Sequence, residues 1–375
     1  MKTKDTVKLK VLMLMHLPPP VHGAAMAGNY IQSSDYIQNE IDATIINLGT
    51  NTKLQESGKG SIKKISTFLS LLKDLVKAMN QNSFDLCYVS LTASGPGFYK
   101  DCVIISILKF YKVKILYHFH TKGVASASSS AINRGLYRYI FKNTQSILLS
   151  PYLFFDIEQY VNQDQIHYCP YGIPPISNHV LPVANASKSS KPCQLLYLSN
   201  MMEEKGVYIL LEALNELKQM GLEFECHFVG GWSDITATDF KDYVKKLNLS
   251  EYVTAHGPKY GNDKHWHFNQ ADIFVFPTYY HYETFGIVNL EAMQYALPIV
   301  STPEAAIPEI VIDGKTGFLV PQKNAALLAE KLEVLIQNTQ LRIKMGMAGK
   351  ERYQMRFTLE KFEHKIVEIL KAASA

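Results

Sequence analysis

The chain is short of cysteine and of long apolar runs. Its five cysteines, Cys87, Cys102, Cys169, Cys193 and Cys226, are odd in number, scattered and never in a C-x-x-C pair. That pattern excludes a disulfide framework and a zinc ribbon, and it fits a reducing cytosol. No stretch approaches the roughly 20 apolar residues of a membrane-spanning helix. The start, "MKTKDTVKLKVLMLMHLPPP", sets lysines before an apolar segment as a signal peptide does. That segment, Val11 to Met15, is too short for a signal core and runs into three prolines, so a first β-strand is expected there. Low-complexity tracts and internal repeats are absent. So are G-x-G-x-x-G and Walker A spacings: "GPGFYK" lacks the terminal Lys-Ser/Thr.

What is present is the composition of a folded enzyme-sized chain. The 375 residues are 47% hydrophobic and 19% charged, enough for two domains with separate cores. Net charge is +4 but unevenly divided: residues 1–175 carry 18 Lys/Arg against 11 Asp/Glu, and residues 176–375 carry 20 against 23. A basic first half facing a mildly acidic second half suggests different partners, an anionic surface or substrate for the first.

Apolar runs alternate with longer amphipathic segments, the pattern of parallel sheets. Strands are expected at Lys10–Met15, Thr44–Asn47, Leu86–Ser90, Lys114–His118 and Ser146–Ser150. In the second half they are expected at Gln194–Leu198, Glu225–Val229, Val253–His256, Ile273–Phe276 and Ile299–Ser301. Helices are expected from Val207, near Phe240–Leu247 and from about Ile287. In "SIKKISTFLSLLKDLVKAM", Ile62, Ile65, Leu69, Leu72, Val76 and Met79 form one helical stripe, with Lys63, Lys64, Lys73 and Lys77 on the remaining surface. Such a helix packs on a sheet or lies on a membrane surface. Residues 176–193, rich in Ser, Pro, Asn and Lys, read as an interdomain connection.

The densest signal is "FPTYYHYETFGIVNLEAMQYALPIVSTPEAAIPEIVIDGKTGFLV". A strand ends at Pro277, an aromatic loop follows, and a helix is expected from about Phe285 to Ile287. Its first-turn N–H groups lack intrahelical acceptors and suit an anion, which Gly286 lets approach the backbone. Glu283 and Glu291 stand eight residues apart, about 12 Å of helical rise, whereas a glycosidase pair flanks one bond at about 5–9.5 Å. Carboxylates set farther apart around helix N–H groups suit a ligand with hydroxyls at both ends and phosphate between them.

At these residues the sequence resembles the family-four retaining glycosyltransferases of the GT-B fold (glycosyl transferases group 1), of the type found in bacterial polysaccharide biosynthesis. The signature, two glutamates separated by seven residues with Phe-Gly after the first, stands here as Glu283-Thr-Phe-Gly-Ile-Val-Asn-Leu-Glu291. The resemblance implies an α/β architecture of two Rossmann-like domains facing a central cleft. The first would bind the acceptor over about 1–180 and the second the donor over about 190–356, with the last helix, about 357–375, packing back on the first. It further implies that Glu283 contacts donor-sugar hydroxyls, Glu291 the ribose, and the amides of Phe285, Gly286, Ile287 and Val288 the diphosphate. "LLYLSNMMEEKGVYILLEAL" is similar to the family's Gly-Arg-Leu turn and Glu-Lys-Gly helix start, with Lys205 as the diphosphate lysine. Ser199-Asn200-Met201 replaces Gly-Arg-Leu, so Asn200 donates hydrogen bonds but carries no charge; Lys259 and Lys122 are candidate substitutes.

In the first half, "KILYHFHTKG" ends a strand with His118 and His120, and the family's strand-end histidine matches His120 first. Gly23 and Ala24 fit the family's glycine turn after the first strand, with His22-Gly23-Ala24 where Gly-Gly is usual. In "CPYGIPP", Tyr171 replaces an asparagine while Gly172 and Ile173 agree. "SLTASGPGFYKD" would be an acceptor-side loop. No Asp-x-Asp occurs, and His265 and His267 have no visible third ligand, so no metal and no cofactor are expected; the nucleotide diphosphate-sugar is a substrate. The implied partners are that donor and a glycan or lipid-linked acceptor, with peripheral contact to an anionic membrane and no nucleic acid, in the cytoplasm. Two alternatives stay open: a GT-B epimerase or phosphorylase-like enzyme, and a non-catalytic sugar-nucleotide-binding subunit.

Overall fold

The computed structural model describes residues 8–20, 23–49, 62–176 and 192–375. His22, the side chains of Ile62, Lys63 and Lys64, and most of the expected connection at 176–193 lie outside what it describes. The chain divides into two compact units, Met1–Gly172 with Leu359–Ala375, and Ile173–Thr358.

The first unit is a six-stranded parallel sheet: β1 (Leu9–Met15), β2 (Ile41–Asn47), β3 (Leu86–Leu91), β4 (Ile115–Phe119), β5 (Gln145–Leu148) and β6 (Ile166–Tyr168), in the order β2-β1-β3-β4-β5-β6. Its inner strands are buried on both faces, so they read as continuous apolar runs without alternation. Helices α1 (Gly23–Ser33), α2 (Asp35–Glu40), α3 (Ile62–Gln81), α4 (Gly95–Phe110), α5 (Val124–Ala127) and α6 (Ala131–Phe141) connect them. The chain's last helix, Leu359–Ser374, belongs to this unit. Its Lys371 Nζ pairs with Glu40 at 2.5 Å, His364 stacks on Tyr36, and Lys114 donates to the Ser374 carbonyl at 2.6 Å.

Helix α3 corrects the expected stripe. Leu71, Leu75 and Met79 are buried, whereas Ile65 and Leu69 are 62% and 61% exposed. Phe68, Leu71, Leu72, Leu75 and Met79 form a second apolar stripe of equal quality, and the sheet selects that one. β6, three residues long, carries too little pattern to be expected from sequence.

The second unit repeats the architecture with β7 (Cys193–Leu198), β8 (Phe224–Val229), β9 (Val253–Ala255), β10 (Ile273–Phe276), β11 (Ile299–Ser301) and β12 (Gly317–Leu319), all parallel, in the order β12-β11-β10-β7-β8-β9. Around it lie α7 (Val207–Gln219), α8 (Ala237–Lys246), α9 (Gly261–Gln270), α10 (Ile287–Gln294), α11 (Ile307–Ile310), α12 (Ala325–Gln337) and α13 (Thr339–Arg356). α7 buries Val207, Leu210, Leu211, Leu214 and Leu217, a stripe of helical period. Local caps set the boundaries: Thr236 and Asp239 form a reciprocal capping box on α8, and the Asn324 and Asn338 side chains accept from the third residues of α12 and α13. Strand order reverses between β7 and β10, because β8 and β9 run out on one side and β10 to β12 on the other. Loops leaving the carboxyl ends of two such strands diverge and open a crevice, the usual ligand position in parallel sheets.

Candidate functional site

Lys205 and Glu283 come from the two loops at that reversal. After β7 the chain turns through Ser199–Met201, which is tied to the next strand's end: Ser199 N donates to Val229 O and Met201 N to Gly231 O. It then tightens over Glu203–Lys205 into Gly206 at φ 85°. A Cβ on Gly206 would stand 2.2 Å from the Pro277 carbonyl oxygen, so glycine alone lets this turn touch the end of β10. The Glu204 carbonyl accepts from Tyr279 N at 2.8 Å and from the Thr278 hydroxyl at 3.4 Å. The two loops are thereby bonded backbone to backbone, which fixes where the Lys205 side chain starts.

Lys205 Nζ lies 2.7 Å from Glu283 Oε2, with the two side chains 13% and 12% exposed, and sits 4.4 Å from the Tyr280 ring centroid. The other carboxylate oxygen of Glu283 accepts from Gly286 N at 3.0 Å and Thr284 N at 3.2 Å. Glu283 is therefore held by one ammonium and two amides. The Gly286 amide, expected to face an anion, is engaged by Glu283 instead.

Helix α10 starts at Ile287, with Gly286 (φ 72°) as a cap that contributes no side-chain bond. The Ile287 and Val288 N–H groups have no intrahelical acceptor by helix geometry, and both residues are half-buried. Phe285 is buried with its ring edge-on to Phe357 at 6.2 Å, so its side chain anchors the loop. Asn289 is fully buried beneath this cap, and neither its Nδ2 nor its Oδ1 has a hydrogen-bond partner. A Cβ on Gly286 would meet that Nδ2 at 2.8 Å.

One helical stretch on, Glu291 Oε1 pairs with Lys264 Nζ at 2.6 Å, each side chain 25% exposed. His265, next to Lys264 on α9, bonds the Tyr295 hydroxyl, so two adjacent contacts lash α9 to the end of α10. Asn200 is exposed on the turn after β7. His267 joins His256 and His227, whose facing ring nitrogens are 3.0 Å apart, in a cluster of mutually tilted rings. Burial first, and the neighbouring histidines second, push His267 down to about 4. Among the described residues no group of three or more His, Cys, Asp or Glu is arranged to hold a metal ion.

The first unit presents a different strand end. His118 lies within β4, wholly buried; its Nδ1 is 2.6 Å from the Tyr88 hydroxyl, and burial holds its pKa down at about 3. His120 stands one residue beyond the strand and reaches the surface slightly. Its Nδ1 is 2.5 Å from the Tyr171 hydroxyl, with the two rings nearly parallel, and His118 lies against it at 4.2 Å. Gly23 is exposed at the start of α1. The loop at Gly123 to Ala125 is ordered by the Asp156 carboxylate, which accepts all three amides at 2.8–3.1 Å.

The structure thus brings Lys205, Glu283, Gly286, Ile287 and Val288 together. Asn200 stands on the same Lys205-bearing turn. Glu291 sits one stretch along α10, and Gly23 and His120 belong to the other unit. Sequence reasoning missed Lys264, Tyr280 and Asn289. A lysine on α9 carries no spacing signal that directs it at Glu291, and Asn289 is hidden within an apolar run.

Residues 184–352 match the family model described as glycosyl transferases group 1. Among curated proteins, a capsular polysaccharide biosynthesis glycosyltransferase, CapM of Staphylococcus aureus, is 28% identical over 162 residues, 43% of this chain and 41% of that protein. The chain spans less than half the length of the curated relatives it matches. A solved glycosyltransferase from Rickettsia africae superposes with TM-score 0.73 at 21% identity, over 98% of this chain and 99% of the other. Anabaena HepE, solved in complex with UDP, gives TM-score 0.74 at 17% identity, over 97% and 100%. Two parallel six-stranded sheets with flanking helices, matched end to end by these structures, make a GT-B fold of two Rossmann-like domains. Over residues 184–352, just under half of its length, the chain is thus similar to the glycosyl transferases group 1.

Proposed function

We propose that the chain is a retaining glycosyltransferase that moves a sugar from a nucleotide diphosphate-sugar, a UDP-sugar first, to a hydroxyl of a glycan or lipid-linked acceptor in surface polysaccharide biosynthesis. The observation that carries this reading is the Lys205–Glu283 pair at the sheet's reversal point, directly before the N-terminus of α10. A diphosphate entering there meets one ammonium and the first-turn N–H groups of α10, in a partly desolvated position where fixed charge acts strongly. Lys205 and those amides stabilise the charge that develops on the leaving oxygen. Glu283 receives sugar hydroxyls, and Glu291 receives the ribose. Neither carboxylate is a nucleophile on this reading: both oxygens of Glu283 already accept hydrogen bonds, three in all, so the group is engaged in holding the loop. On this account the leaving phosphate oxygen takes the acceptor proton on the face it departs from, which gives retention.

Support for the donor comes from HepE, solved with UDP, and for the setting from CapM, named for capsular polysaccharide biosynthesis. The five cysteines are all free and buried, which supports a reducing, cytoplasmic compartment. No described helix is long and apolar enough to cross a membrane. The reading is metal-independent, on the ground that no Asp-x-Asp occurs in the sequence. A thermal-shift panel of UDP-, GDP- and ADP-sugars tests it, since a ligand at 100 times its Kd stabilises by about 2.7 kcal/mol. A UDP-sugar is expected to raise the midpoint equally with magnesium or with EDTA. If no nucleotide sugar shifts the midpoint, the donor assignment is wrong; if EDTA abolishes the shift, the metal-free reading is.

A further inference from the structure

Lys264 stands in the first turn of α9, next to Asp263. The positive end of the helix dipole disfavours a cation there, so the helix itself supplies no reason for this lysine. Packing supplies none either. The seam between α9 and α10 is held without it: the Phe268 ring stacks on the Tyr295 ring at 5.1 Å, and His265 bonds the Tyr295 hydroxyl. Phe268 and Tyr295 are buried, whereas Lys264 and Glu291 are each 25% exposed, and an ion pair that meets water adds little to stability. Glu291 follows Ile287 by four residues, one turn and about 6 Å of rise. Side chains lean toward a helix's N-terminus, so this carboxylate reaches back toward the first-turn amides of α10. Its Oε1 takes the Lys264 ammonium at 2.6 Å, and its Oε2 accepts from no described residue. The ammonium has three N–H groups and uses one on Oε1; no other described residue takes the rest.

An acceptor-only oxygen and a donor-only nitrogen therefore stand side by side, one turn from the amides. A vicinal diol complements that pair: one hydroxyl donates to Oε2 while the oxygen of its neighbour accepts from Nζ. We propose that Lys264 and Glu291 together clamp the ribose diol, and that Lys264 makes the site specific for ribonucleoside diphosphates over their deoxy counterparts. The clamp rests on the nucleotide-sugar donor proposed above and adds to it a residue and a discrimination. Ribose presents adjacent hydroxyls at C2′ and C3′. Removing either leaves the ammonium or the carboxylate without its partner, and a site built to bond a hydroxyl rejects the analogue that lacks it. A phosphate group suits this position less well. It would use the ammonium but bring a second negative charge into contact with Glu291.

Titration calorimetry on the full chain first finds which of UDP, GDP and ADP binds best, then compares that nucleotide with its 2′-deoxy and 3′-deoxy forms. The wild-type protein should lose about tenfold or more in affinity for each deoxy form. In Lys264→Met or Lys264→Gln, one of those two losses should shrink below about threefold, because the hydroxyl and the ammonium act as a pair. Lys264→Arg, which keeps a charged donor, should retain both losses. The unliganded midpoint of Lys264→Met should move by less than about 4 °C, since Phe268 and His265 still hold Tyr295. Equal binding of the ribo and deoxy forms by the wild type overturns the proposal and leaves the nucleotide donor standing. Equal weakening of all three forms in the neutral lysine variants also overturns it, because Lys264 would then be only a strut between α9 and α10. If UDP, GDP and ADP all fail to bind the wild type, the nucleotide donor itself falls and the clamp with it.

Discussion

The carboxyl ends of the two sheets solve different problems with different side chains. Beyond β7 and β10 the site is ionic: Lys205 against Glu283, Lys264 against Glu291, and a helix N-terminus between them. At the end of β4 it is aromatic: His118 within the strand and His120 one residue beyond it lie against each other with tilted rings, each bonded to a tyrosine hydroxyl, with His118 held uncharged by burial. An ionic cradle suits a ligand that arrives charged and leaves more charged. An imidazole and a phenol suit hydroxyl groups, which they can orient by hydrogen bonds. On the proposed reading, charge is concentrated where a leaving group would need it, and histidine and tyrosine stand where hydroxyl groups would be oriented.

The largest break in this comparison should come from Lys205→Ala. Turnover should fall by about 100-fold or more, because the cation acts on charge that grows in the transition state. Nucleotide stabilisation in the thermal-shift assay should fall with it, and wild-type turnover would remove Lys205 from the phosphate role. His120→Ala sharpens the other side: turnover should drop by about 10- to 100-fold while the affinity for free nucleotide stays within about twofold. A loss of nucleotide affinity equal to the loss of turnover would show that His120 is not specific to the aromatic end.

The pH response separates fold from site. The folded-state values of His118 and His267, about 3 and about 4, lie below the ordinary 6.5, and those of His227 and His256 are lowered as well. The unfolded chain therefore binds more protons than the folded one between the folded values and 6.5. Stability is complete above about pH 6.5 and is lost as pH falls toward 4, by about 2 kcal/mol at pH 5 for a histidine as fully buried as His118. Thermal midpoints measured from pH 7 to 5 should decline, and a flat profile would contradict the buried neutral imidazoles. The smallest effect is expected at Asn289. Replacing its unpartnered buried amide in Asn289→Leu should stabilise the unliganded protein by about 1 kcal/mol. A lower midpoint would mean that the amide is satisfied in solution.

Much of this was legible in residues alone. β10 and β11 begin and end where their apolar runs do, because a strand buried on both faces shows its whole length. α10 begins at Ile287 because Gly286 supplies the left-handed residue that admits it. The stripe of α3 misled, since that helix has two apolar faces and periodicity ranks them equally. Its partner chose the one with Leu71, Leu75 and Met79.

The sequence by itself determined the alternation of strands and helices, the Glu283–Glu291 spacing and the glycines that permit the Lys205 turn and the α10 cap, because these depend on neighbours within a few residues. Tertiary structure alone decided that Lys205, 78 positions from Glu283, becomes its partner, that Lys264 restrains Glu291, and that Tyr171 orients His120. Those pairings follow from strand order, which brings β7 beside β10, and order in a sheet is a property of the whole packed core rather than of any stretch within it.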